Sequence, residues 1–149
     1  MTILISVLIL ISIAFFGRIY YQNAQVPNLG VNNGKLAEIS SKPNNVSSQT
    51  DDENKKVATM PFKKNQRQTM VALKKAVQQF GGGKIEKESD DYLYVIFTTS
   101  LMRYHDDVEF WLDAKNEVVH FRSASRAGHS DMGVNRQRWE KLNELYGAL

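Results

Sequence analysis

The first hydrophobic feature of the chain is a run with no period. Thr2 to Phe16 reads TILISVLILISIAFF, fifteen residues without a charge. A helix apolar on every side suits lipid better than one protein face. After Gly17, Arg18 can snorkel, and Tyr20 and Tyr21 suit the headgroup level, so the span reaches about 20 residues, enough to cross a bilayer. Residues 1–21 are therefore read as a transmembrane signal-anchor helix, with the bilayer as partner of residues 2–21. The competing reading is a cleaved signal peptide. Against it, no Lys or Arg precedes the run, and Gln22-Asn23-Ala24 places a large Gln where cleavage wants a small residue.

Residues 22–62 show neither a helical nor a strand period. They are rich in Asn, Ser, Lys and Gln and include the acidic-then-basic run DDENKK at 51–56. This composition reads as a polar tether. A partly ordered segment at 29–48 is expected within it, with turns at Asn33-Gly34 and Pro43-Asn44.

Period returns near Asn65, where Met70, Leu73, Val77 and Phe80 mark one buried helix face ended by Gly81-Gly82-Gly83. Three aromatic and β-branched stretches follow, Tyr92–Thr99, His105–Asp113 and Glu117–Arg126, with a short fourth at Lys84–Lys87. Ala114-Lys115-Asn116 is short enough to close an antiparallel hairpin. A last helix over Asn135–Tyr146 places Trp139, Leu142 and Tyr146 together. The expected fold is α+β: a transmembrane helix, then a two-layer domain over 63–149 with an antiparallel sheet of three to four strands packed by two helices.

Composition narrows the chemistry. The 149 residues contain no cysteine, which removes disulfides, thiolate metal sites and cysteine nucleophiles. The 19 Lys and Arg exceed the 16 Asp and Glu by only three, spread along the chain, so no concentrated basic face for nucleic acid is expected.

Alternation in the hairpin defines a polar constellation. Val108, Phe110 and Leu112 point one way, and His105, Asp107, Glu109 and Trp111 the other. Across the turn Val119 and Phe121 share a face, leaving His120, Arg122 and Arg126 opposite. Matching the apolar sets puts Glu109 across from either Arg122 or His120. The loop after the hairpin, Ser123–Trp139, combines small residues with three arginines, a pattern suited to a carboxylate or phosphate. The candidate ligand-binding residues are Asp106, Asp107, Glu109, Arg122, Ser123, Ser125, Arg126, Asp131, Asn135 and Arg136. The bland alternative is a solvated or structural charge ladder.

Other chemistries fit less well. Asp106, Asp107 and Glu109 with His105 or His129 contain hard-metal ligand types, but alternation sends Asp106 away from the other two. Ser123 or Ser125 with His120 or His129 and Asp131 contains the types of a nucleophilic triad, without a nucleophile elbow. The glycine triplet follows a helix, whereas a phosphate loop precedes one. No metal or cofactor is expected.

DDVEFWLD at 106–113, VVHFRSASRAGHSDMGVNRQRWEKL at 118–142 and LGVNNGKLAEISSKPNNVSS at 29–48 together resemble domain-of-unknown-function family 1499, an uncharacterised group of bacterial and plastid proteins. The resemblance brings no activity with it. It implies a cysteine pair at the places where this chain has Ile39 and Asn45, and hence an extracytoplasmic setting for the family. Arg18 alone, by the positive-inside rule, favours a cytoplasmic domain. The reading is a membrane-anchored accessory or binding module rather than an enzyme. Its alternative is a small-ligand binder or hydrolase using the charged cluster, and the Trp111 face is a candidate surface for another membrane protein.

Overall fold

The computed structural model describes residues 1–100 and 102–149. Helix α1, Thr2–Ala24, runs 23 residues, about 34 Å at the α-helical rise. Most of its side chains are exposed, Leu10 and Ile13 among them, whereas Ile19 and Asn23 are buried against the rest of the chain.

The domain follows as β1 (Asn45–Ser47), β2 (Met60–Pro61), α2 (Gln66–Phe80), β3 (Gly83–Glu88), β4 (Tyr92–Thr98), β5 (His105–Asp113), β6 (Val118–Ser125) and α3 (Val134–Gly147). The six strands form one antiparallel sheet in the order β1-β6-β5-β4-β3, with β2 also paired to β6. The sheet is thus larger than the three to four strands expected. The two additions, β1 and β2, are three and two residues long, too short to show a period of two. They form because β6 exposes an edge that the upstream segment pairs.

Local chemistry accounts for the elements. Asn65 caps α2 by accepting the Gln68 amide at 2.9 Å, a type of bond that contributes about 1 kcal/mol. Gly81 and Gly82 have φ of 81° and 71°, conformations closed to most side chains. A Cβ on Gly83 would lie 2.8 Å from the Phe97 ring. The glycine triplet therefore ends a helix and lets β3 approach β4.

Leu93, Val95, Val108, Phe110 and Phe121 face α2 and α3, where Leu73, Leu142 and Tyr146 complete the core. On the opposite face Tyr92, Tyr94 and Trp111 lie against Leu29 and Leu36. The helices cover one face of the sheet, and the segment around residues 29–36 covers the other.

Candidate functional site

The charged residues are distributed by the alternation of β5, which sends neighbouring acids to opposite faces of the sheet. On the face away from the helices Glu109 pairs in register with Arg122, the first of the two registers the hairpin allowed. Arg122 Nη1 reaches Glu109 Oε2 at 3.2 Å. The Tyr92 hydroxyl and the Gly30 amide donate to Glu109 Oε1 at 2.6 and 2.9 Å. Burial raises the Glu109 carboxyl above the usual glutamate value, against the pull of Tyr92, Arg122 and Gly30.

Two residues away, Asp107 accepts Arg126 Nε at 2.9 Å and Nη2 at 2.7 Å, a bidentate pair. The Tyr94 hydroxyl adds a 2.5 Å bond to the same carboxylate. The remaining arm of the guanidinium, Nη1, donates to the Asn23 carbonyl of α1 at 2.6 Å. Hydrogen bonding to Asp107 raises the Arg126 pKa. Burial, then the bonds to Glu109 and Asp107, raise Tyr92 and Tyr94, which stay neutral donors.

On the helix-facing side Asp106 pairs with Arg138 at 2.5 Å. Arg138 also donates to Asn135 Oδ1 at 2.7 Å, and its guanidinium lies 4.9 Å from the centre of the Phe97 ring. Ser123 donates a short hydrogen bond to Asn135 Oδ1. The Asn135 amide reaches the Asn44 carbonyl and Ser125 Oγ, both at 3.0 Å, and Asp131 at 2.7 Å. Asp131 in turn accepts the Asn135 backbone amide at 2.8 Å, ordering the first turn of α3, whose N-cap is Gly133.

The ten sequence candidates therefore do not converge on one site. Asp107, Glu109, Arg122 and Arg126 share one face, and Asp106, Ser123, Ser125, Asp131 and Asn135 the other. Arg136 joins neither group, because it donates to the Asn54 and Lys56 carbonyls at 2.9 and 3.1 Å. His120 stacks on Trp111, ring centres 5.0 Å apart, on the face opposite Ser123 and Ser125. Among the described residues no group of three or more His, Asp or Glu side chains is placed to hold a metal ion.

Sequence reasoning missed Tyr92, Tyr94, Asn23 and Asn44, and left Arg138 out of the candidates. A signal for Arg138 existed: Asn135, Arg138, Leu142 and Tyr146, the buried residues of α3, fall at spacings of three, four and four. Asn45 stands where the resemblance implies a cysteine. Its amide ties the preceding loop by donating to the Ser40 and Lys42 carbonyls at 3.2 and 3.1 Å.

The fold and the paired clusters define a small α+β domain joined to an apolar N-terminal helix. The chain belongs to the family described as protein of unknown function (DUF1499), whose family model matches residues 35–145. No curated protein and no solved structure matches the chain.

Proposed function

We propose that the chain is a single-pass membrane protein in which α1 is a retained signal anchor and the family domain is a binding or accessory module held in fixed orientation at the bilayer surface. The observation that carries this reading is the two-sided contact of Arg126. One guanidinium holds the Asp107 carboxylate inside the domain and the Asn23 carbonyl at the end of α1. Asn23 adds two further ties, its amide donating to the Arg103 carbonyl at 2.7 Å and its side-chain oxygen accepting the His105 amide at 3.0 Å. The apolar length of α1, Ile3–Ala24, matches a hydrocarbon core of about 30 Å.

The charged cluster then has an architectural role. Asp107 with Arg126 and Glu109 with Arg122 pair internally, and their remaining bonds go to tyrosines and to the backbone that crosses the face. This supports the accessory reading over capture of a small carboxylate or phosphate. The family's implied cysteine pair supports an extracytoplasmic domain.

Because the chain has no cysteine, a single Lys115→Cys substitution on the exposed β5–β6 turn gives a unique reporter. In intact cells an impermeant maleimide should label it, and the chain should stay in the membrane fraction through alkaline carbonate extraction. Release of the chain by carbonate contradicts the anchor, and labelling only after lysis contradicts the extracytoplasmic side.

A further inference from the structure

The junction between α1 and the domain encloses a cleft of about 340 Å³. Phe15, Arg18, Ile19 and Gln22 of α1 line it together with Lys42, Tyr104 and His129 of the domain. No acidic residue lines it. Among the described residues Arg18 and His129 make no hydrogen bond or ion pair, and Lys42 Nζ touches only the Gly128 carbonyl, at 3.5 Å. Arg103 is exposed on the neighbouring loop, at a left-handed φ of 56°, with its carbonyl held by Asn23.

The position of the cleft along α1 gives this arrangement its chemistry. If α1 spans the bilayer, the uncharged run ends at Phe16 and Arg18 marks the headgroup boundary. Phe15 then lies about one turn deeper toward the acyl chains than Arg18, whose long side chain can snorkel to the phosphates. Met132, 90% exposed, extends from the same loop as His129 and adds an apolar contact for the interface. Cations beside the half-exposed Phe15 match one amphiphile: a phosphodiester with an acyl tail. A soluble anion would leave Phe15 unused, and a neutral lipid would bring its own ammonium to the cations.

We infer that this cleft binds the headgroup of an anionic phospholipid, with Arg18 and Lys42 on the phosphate and an acyl chain along Phe15. The inference rests on the proposed anchor. It goes beyond it in assigning a lipid preference to the junction, so that lipid composition would stabilise the docked orientation of the domain.

The test uses the full chain in detergent, titrated with phosphatidylglycerol or phosphatidylcholine and read by native mass spectrometry. Phosphatidylglycerol should be retained about fivefold or more over phosphatidylcholine, the ratio expected from about one basic contact. The Arg18→Gln/Lys42→Gln variant should lose that preference. Lys115→Gln, at the far end of the hairpin, should keep it. Equal retention of the two lipids, or a preference that survives the double variant, overturns the site. Displacement of phosphatidylglycerol by inorganic phosphate alone overturns the lipid assignment in favour of a free anion. Thermal unfolding of each variant shows whether a lost preference is a lost fold, in which case Phe15→Ala, which leaves every cation in place, must lower retention for the site to stand. Carbonate extraction separates the two levels: a chain released from membranes sinks the anchor, whereas a chain that stays but shows no preference sinks only the lipid site.

Discussion

Arg126 Nη1 donates a 2.6 Å hydrogen bond to the backbone carbonyl of Asn23, joining residues 103 positions apart. The acceptor lies in the last turn of α1, where helix carbonyls lack partners within the helix and a cation is favourably placed. The same guanidinium is held by Asp107, so the buried ion pair of the sheet is also the latch on the N-terminal helix.

Replacing Arg126 with Gln should be the most damaging single change at this junction. It leaves Asp107, 1% exposed, as a buried charge without its cation, a loss of about 3–5 kcal/mol. Denaturant unfolding of the full chain in detergent measures it. Removing both partners, as Arg126→Leu/Asp107→Leu, should recover a large part of that stability but not the contact to α1.

Asn135, fully buried, links β6, the Asn44 turn and the start of α3. Asn135→Ala removes its bonds to Ser125, Asp131 and the Asn44 carbonyl together and should destabilise by about 2–4 kcal/mol, more than one hydrogen bond contributes. Asn135→Asp keeps the shape but sets a second carboxylate against Asp131, and should be no better tolerated. Thermal unfolding compares the two.

Phe121, fully buried on the core face, packs edge-on against Phe110 with ring centres 5.3 Å apart. Phe121→Ala should cost about 3–5 kcal/mol in denaturant unfolding through lost burial and the cavity left behind. Met132→Ser on the exposed loop should change stability by less than about 0.5 kcal/mol.

Two histidines make stability depend on pH. Burial holds His105 below its usual value of 6.5, with Arg126 adding to the shift. Burial also lowers His120, against an opposing pull from Asp113. Both bind protons more weakly folded than unfolded, so their contribution is complete above about pH 6.5 and is lost as pH falls from there through the folded values. Thermal unfolding across this range should show stability falling with acid. Glu109 acts in the opposite sense. Its raised folded value means that stability declines as pH climbs out of the usual glutamate range. His105→Gln/His120→Gln should therefore remove the histidine part of the acid-side loss, leaving the slope set by Glu109 and, at lower pH, by Asp113, whose carboxyl the Asn116 side chain holds below its usual value.

The parts of this architecture that follow local periodicity were legible. Alternation in β5 and β6 narrowed the register to two, Glu109 across from Arg122 or from His120, of which the structure has the first, and led to the separation of Asp106 from Asp107. The spacing of Met70, Leu73 and Val77 led to α2. What the sequence did not disclose depends on distant pairing. The bond from Asn135 to the Asn44 carbonyl spans 91 positions, and the bond from Gly30 to Glu109 spans 79. Neither leaves a period in the chain. β1 and β2 are strands only because β6 offers them partners. The cluster looked like one site because alternation was applied to the strands alone. Arg138 and Asn135, arriving from α3, draw Asp106, Ser123 and Ser125 to the other face.

The docking of α1 is most directly tested by the distance between spin labels at Tyr20→Cys, exposed on α1, and Lys115→Cys, on the far turn of the hairpin, in the full chain reconstituted in lipid nanodiscs. Double electron–electron resonance should give one narrow distance distribution that broadens when Arg126→Gln is added. A broad distribution in the chain with Arg126 intact would show a domain swinging on a free linker and would contradict the latch.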